Sequence, residues 1–509
     1  MEQRQGYFKN AMILTLSGLL LRFAGMCFRV YLAGRLGGEG MGLYQLVFSL
    51  YSLSIAAATS GVSVAAARLV AEEMTRPDGA VQAVVRRVRA AALALGLGAG
   101  LVQFLLAGPA ARFWLGDSRA AAGLRVLAPA LPFMAVSSTL RGYFLGRRKT
   151  LPNALSQMAE QVVRIVLAVW MMQPALQRGV AAACTAAMLA DAVSESASCL
   201  CMVCAWRRDC RGARDTAPLP GDLDRRLGAI LWPVQGSRCL ASALQAAENM
   251  LVPACLGLYL ASRQQAMEQY GTLKGMAMPV LFFPFSFLNA LSTLLMPEIT
   301  QAHLQQHQRS LQRLVGRMMF LTMTLSVLMA GLCGLYAPQL GQLLYHSELV
   351  GRAIRALAPL MPWMYLESMV DGVLKGMGQQ MAAFRYGIWD SILRISGVLL
   401  LLPRLGMAGF LLVMLISNLF TCTLNTRRML RAVQMKMRWG AWVLGPLAAL
   451  GIAVLLAQGM QAAGPVLPGG WPRLLVGATG VAGCYAVLML PLGLGRELAL
   501  LAAKEPRNR

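Results

Sequence analysis

The chain has 509 residues, of which 57% are hydrophobic and only 14% charged, and it carries a formal net charge of +25. A composition this apolar excludes an ordinary soluble multidomain protein and points to a bilayer-embedded chain. The basic excess alone would suit nucleic acid, but its placement described below excludes that partner.

Windows of about 20 apolar residues, the length needed to cross a bilayer, predict roughly fourteen spans in an all-α polytopic membrane protein. The first six fall near 11–33, 44–66, 90–108, 121–145, 154–173 and 180–205, and form an N-terminal lobe over 1–205. A basic connector at 206–227, with Gly212, Pro218, Pro220 and Gly221, is the one obvious linker. Six further spans near 228–252, 272–296, 317–338, 353–374, 382–402 and 406–425 form a second lobe over 228–438. Two extra helices follow in 439–496, near 440–460 and 473–494, and 497–509 form a basic tail.

Lys and Arg concentrate in alternate loops: Arg4 and Lys9, Arg68 to Arg89, Arg147 to Lys149, Arg207 to Arg226, Arg309 to Arg317, Arg427 to Arg438 and Arg496 to Arg509. The intervening loops hold little beyond Arg35, Arg112, Arg119, Arg178, Arg263 and Arg404. This alternation follows the positive-inside rule, places both termini in the cytoplasm, and assigns the basic residues to the anionic leaflet. The first span contains Arg22 and Arg29 without a small-residue cleavage site after it, and reads as a retained helix.

Two stretches repeat 230 positions apart. Leu127-Ala128-Pro129 recurs as Leu357-Ala358-Pro359, Pro132 as Pro362, Gly142 and Gly146 as Gly372 and Gly376, and Glu160/Arg164 as Asp390/Arg394. An even number of crossings separates the copies, so they run in the same direction and predict two lobes related by a pseudo-two-fold axis along the membrane normal. The repeated Ala-Pro-x-x-Pro pattern marks either packing kinks or hinges for alternating access, since proline removes a backbone donor.

Ionisable residues inside spans are costly and are functional candidates by default. Arg22 and Arg29, seven apart on one helical face, and Lys274 at the start of the eighth span would line a cationic cavity suited to phosphate. The bland alternative is snorkelling to a headgroup. Glu160/Arg164 and Asp390/Arg394 have the spacing of i,i+4 ion pairs and serve either insertion or gating. Glu248, Glu367 and Asp371 are intramembrane acids able to take a coupling H+ or Na+ or to meet Lys375 and nearby arginines; Asp191 and Glu195 are weaker cases of the same kind.

Enzyme signals fail on context. Asp222-Leu223-Asp224 has a metal-binding spacing in a linker too short for a nucleotide-sugar fold. His303 and His307 lack the glutamate of a zinc-protease motif. Gly37-Gly38-x-Gly40 follows no strand. No outer loop is long enough for a catalytic domain, eleven cysteines show no disulfide framework, and Cys199, Cys201, Cys204 and Cys210, where the sixth span meets the cytoplasm, read as small buried thiols in preference to a metal site. The expectation is a transporter, not an enzyme, with no resident cofactor or metal.

Longer motifs point to a family. Arg35-Leu36-Gly37-Gly38-Glu39-Gly40-Met41-Gly42-Leu43-Tyr44-Gln45 with Tyr51-Ser52-Leu53 and Gly61-Val62, Arg141-Gly142-Tyr143-Phe144-x-Gly146 with Ser156-Gln157-x-x-Glu160-Gln161-x-x-Arg164, and Tyr270-Gly271-x-x-Lys274-Gly275-Met276-Ala277-x-Pro279 with Pro297-Glu298-Ile299 resemble the stage V sporulation protein B family. That family lies in the multidrug/oligosaccharidyl-lipid/polysaccharide exporter superfamily. The resemblance spans roughly residues 7 to 435. It implies an alternating-access flippase or exporter of undecaprenyl-pyrophosphate-linked saccharide in a bacterial plasma membrane, with a role in sporulation and with lipids and cell-wall synthesis proteins as partners. In lipid II flippases cavity arginines lie on the first, second and eighth helices. Arg22, Arg29 and Lys274 fall in matching segments, Arg141 joins them as a substrate contact, and the second helix, 44–66, holds no basic residue. A cation-coupled multidrug exporter of the same fold and a non-transporting scaffold of a cell-wall complex are the alternatives.

Overall fold

A computed structural model describes residues 2–76, 80–211, 221–463 and 470–493. Residues 212–220 of the expected connector and the tail 497–509 lie outside them, as do the side chains of Arg4 and Lys9. Among the described residues the chain is helical without strands, and eight helices are long and apolar enough to cross a membrane, nine when one bent pair is added. The chain is a multi-pass membrane protein. Continuity through breaks accounts for two of the spans missing from that count: α1 (Glu2–Glu73) turns at Gly37, φ 67°, and α15 (Gln380–Val433) turns at Gly406, φ 57°. Each has the length of two spans joined by a residue in the left-handed region, which glycine enters without a Cβ penalty.

Two compact units emerge, Met1–Gly271 and Thr272–Arg509. The first holds α1, α2 (Val81–Pro109), α3 (Ala120–Leu127), α4 (Ala130–Gly146), α5 (Leu151–Leu176), α6 (Val180–Asp209), α7 (Leu223–Leu260) and α8 (Arg263–Tyr270). A π-type turn, Gly271–Ala277, leads to α9 (Met278–Phe282), α10 (Phe285–Leu304), α11 (Gln308–Leu335), α12 (Ala337–Tyr345), α13 (Glu348–Leu357), α14 (Met361–Gly376) and α15. The extra pair is α16 (Gly445–Ala463) and α17 (Trp471–Met489).

The division falls after Gly271 instead of at the connector, so α7, expected to open the second lobe, packs within the first unit. Backbone proximity explains this. A Cβ on Gly61 would lie 2.6 Å from the Leu231 carbonyl oxygen of α7, and one on Gly42 2.4 Å from the Met267 carbonyl oxygen of α8. Lipid supplies no hydrophobic force between helices, so small residues that let backbones approach decide which helices associate. The Gly-rich run near residue 40 is therefore a helix break followed by a packing face.

The repeat is visible in three dimensions. α3 and α4 meet at a 42° bend where Ala128-Pro129 interrupts the helix. In the second copy Ala358–Leu360 form a short 3-10 turn between α13 and α14. The repeated glycines differ in use. Gly142 and Gly146 press on the α1 backbone, where a Cβ on each would stand 2.5 and 2.7 Å from the Ser63 and Ala67 carbonyl oxygens, whereas Gly372 and Gly376 meet only side-chain atoms at 3.5 Å or more. In the second unit an apolar core runs from α10 and α11 through α14 and the end of α15 to α16 and α17. Tyr485 donates to the Thr324 carbonyl at 2.9 Å and ties α17 to α11.

Candidate functional site

The repeated acid/Arg spacing forms an ion pair in both copies. In the first unit Arg164 donates to Glu160 at 2.8 Å and to Gln161 at 3.2 Å, all on α5. From α6, Asp191 lies 2.5 Å and Glu195 3.9 Å from the same guanidinium. Arg141 of α4 donates to the second Glu160 oxygen at 3.0 Å and to Ser198 at 3.0 Å. Tyr44, from the second half of α1, donates to Asp191 at 2.9 Å. Four helices thus converge on one polar cluster inside apolar sequence.

The charges in direct contact do not cancel. Glu160, Asp191 and Glu195 carry three negative charges when ionised, and Arg141 and Arg164 supply two positive ones. Arg29, half-buried on α1, exerts a weaker electrostatic influence on Tyr44 and Asp191 than Arg164 does. Charges removed from water are tolerated when paired and hydrogen-bonded. Arg22, two turns earlier, is exposed, as are Leu20 and Phe23 beside it.

In the second unit Asp390 and Arg394 pair at 3.0 Å on α15. Ser417 donates to Asp390 and accepts from Arg394 at 2.5 Å, closing a three-member ring across the Gly406 break. Glu367, partly buried on α14, is within electrostatic reach of Arg394, Asp390 and Asp371, while Asp371 is ion-paired to Lys375 one turn away. Lys274, in the π-type turn, stands 6.0 Å from the centre of the Phe410 ring. Glu248 is buried on α7 in the first unit, within electrostatic reach of Tyr270. Glu248 and Arg141 therefore belong with the first unit, and Lys274, Glu367, Asp371, Asp390 and Arg394 with the second.

Sequence reasoning did not single out the clamps that hold α7 to α1. At one end, Arg226 pairs with Glu72 and with Glu73, the latter at 3.3 Å, and Arg76 meets Glu73 at 2.8 Å. Arg87 of α2 grips both carboxylate oxygens of Asp224 at 2.8 Å, so the Asp-Leu-Asp run is an ion-pair partner. Midway, the Gln235 side chain accepts from Gly61 N–H at 2.9 Å and donates to the Ala57 carbonyl. Toward the other end Asn249 donates to Ser49 at 3.0 Å, and beyond α7 Glu39 accepts from Arg119 at 2.7 Å and Gln264 at 3.0 Å. Arg263 donates to the Leu115 carbonyl at 2.6 Å. The legible signal was a set of acids at helix ends facing basic loops, but spacing along the chain does not name partners so far apart.

In the loop before α3, burial opposes ionisation of Asp117. The Arg119 side chain and backbone N–H, which both donate to it, and the charges of Arg119 and Arg263 outweigh that and hold its carboxyl below the usual range. Hydrogen bonds to Asp117 and Glu39 raise Arg119 correspondingly.

Residues 7–303 match the family described as polysaccharide biosynthesis protein. Stage V sporulation protein B of Bacillus subtilis (strain 168) is 27% identical over 424 residues, covering 80% of each chain. Among solved structures, lipid II flippase MurJ in an inward closed conformation is similar with a TM-score of 0.69 at 11% identity, over 96% of this chain and 100% of that one. An inward-facing multidrug resistance MATE family transporter of the MOP superfamily gives 0.66 at 16% identity, over 84% and 100%. The chain belongs to the polysaccharide biosynthesis protein family and has the fold of the multidrug/oligosaccharidyl-lipid/polysaccharide exporters.

Proposed function

We propose that this protein is an alternating-access flippase that moves a lipid-linked, pyrophosphate-bearing saccharide to the outer leaflet of a bacterial plasma membrane, with both termini cytoplasmic. The observation that carries the reading is the ionic cluster of α1, α4, α5 and α6. Its arginines are held by carboxylates in positions that a phosphate can compete for, because Arg presents a fork matched to phosphate oxygens. In this reading Arg22, Arg29, Arg141 and Lys274 meet the headgroup. Glu160, Arg164, Asp390 and Arg394 exchange partners during gating, and Glu248, Glu367 and Asp371 accept a coupling H+ or Na+. The names of the relatives, a sporulation protein and a lipid II flippase, support a cell-wall precursor as cargo and a role in sporulation.

The α1–α7 clamps then act as gates. Opening one end requires its ion pairs to separate while the other end holds, and a half-exposed pair such as Arg87–Asp224 separates at small cost. Moving two negative charges outward down an inside-negative potential releases roughly 4–5 kcal/mol per 100 mV when no counter-charge moves, which biases export.

The test is flipping of a fluorescent polyprenyl-pyrophosphate saccharide in vesicles reconstituted with the purified chain. Arg29→Ala abolishes flipping while the protein still inserts and folds. Unchanged flipping removes Arg29 from the mechanism. Export of cationic drugs without movement of the lipid probe would favour the multidrug reading, and the absence of either activity would favour a scaffold.

A further inference from the structure

An apolar cavity of about 870 Å³ lies in the second unit between α11, the α13–α14 bend, the end of α15 and the start of α16. It takes no part in the ionic clusters above. Its wall includes Val327, Gly331, Pro362, Leu430 and Leu447, and a Cβ on Gly331 would strike Leu450 at 2.4 Å, so α16 closes over α11 there. The lining includes two cations, Arg355 and Arg427, and no carboxylate. Both are exposed, and neither has an ion-pair partner among the described residues.

Length and charge select the occupant. From Met323 to Gly334 the cavity follows α11 for about 16 Å at 1.5 Å per residue, roughly one leaflet of a ~30 Å hydrocarbon core. A single acyl chain fits that length, and a long polyprenyl chain exceeds it. Arg427 lies toward the end of α15, where the loop brings Met437 and the exposed Trp439 into the same wall. The adjoining Arg428, Arg431, Lys436 and Arg438 make this the more basic end. Basic pockets between helices, flanked by interfacial Trp, are the chemistry that holds anionic lipid headgroups.

We infer that this cavity is a binding site for an anionic glycerophospholipid, one acyl chain lying between α11 and α16 and the phosphate held by Arg427 beside Trp439. The lipid fills space that packing leaves open and joins the extra helix pair to the rest of the second unit. Arg355 bounds the far end. This site stands independently of transport.

The test uses the full-length chain in nanodiscs of phosphatidylcholine containing a minor fraction of photoactivatable phosphatidylglycerol, with crosslinked peptides identified by mass spectrometry. Label is expected on peptides of α11, α15 and α16, reduced about fivefold by Arg427→Gln, the effect of removing one cation near a membrane surface. Ala330→Phe, which narrows the cavity wall, removes the label. Arg427→Gln is an exposed change that leaves folding intact, so its result stands if Ala330→Phe fails to fold. Equal labelling by photoactivatable phosphatidylcholine, no response to Arg427→Gln, or labelling only by a polyprenyl-phosphate probe would each overturn the assignment.

Discussion

Arg226, near the start of α7, is 3.3 Å from Glu73, a carboxylate only 2% exposed at the end of α1. Residues 153 positions apart thereby tie the helix after the connector to the helix that opens the chain. The neighbouring Glu72 and Asp222 contacts extend this junction.

Arg226→Ala should loosen that junction without unfolding the protein. Glu73 keeps Arg76 at 2.8 Å, so the buried carboxylate stays paired and the loss of stability is about 1 kcal/mol. A cysteine placed at the buried Leu227 should react faster with a water-soluble maleimide in the Arg226→Ala background. An unchanged rate would show that the pair does not hold the junction closed.

Within the intramembrane cluster, Arg164→Ala leaves Asp191, Glu160 and Glu195 short of their shared cation. Breaking a buried pair from one side costs about 3–5 kcal/mol, so unfolding in detergent should shift strongly downward. Glu160→Gln keeps the shape and a hydrogen-bonding carbonyl and should cost clearly less. Equal shifts for the two would argue against charge pairing as the organising feature.

The two copies of the glycine motif predict an asymmetry. Gly142→Ala places a methyl group against the α1 backbone, where overpacking costs about 1–3 kcal/mol. Gly372→Ala meets only Met296 at 3.8 Å and should be nearly neutral. Thermal unfolding of the two variants side by side checks this.

Asp117 sets a pH dependence. Its carboxyl lies below the ordinary range in the folded protein. The stability it contributes is therefore fully present above the unfolded value near 3.9 and is lost as pH falls through the lower folded value. Unfolding temperatures of Asp117→Asn should lie below those of the native chain at neutral pH, with the gap closing in acid. A gap independent of pH would assign Asp117 a purely steric role.

The amino-acid sequence by itself determined the apolar helices, the duplicated Ala-Pro-x-x-Pro bend and the Glu160/Arg164 and Asp390/Arg394 pairs. Each depends on hydropathy or on spacing within one or two helical turns, which the order of residues states directly. Tertiary structure decided what those elements meet: that Asp191 and Glu195 of α6 share Arg164, that Arg141 bridges Glu160 and Ser198, and that Ser417 completes the second pair. It also decided that α7 packs with α1, through glycine contacts and ion pairs whose partners lie more than a hundred residues away in the chain. Helical periodicity specifies which face a residue occupies and is silent on which helix covers that face. In lipid, where every helix presents the same apolar surface, that choice is made by close backbone approach and by the pairing of buried charge.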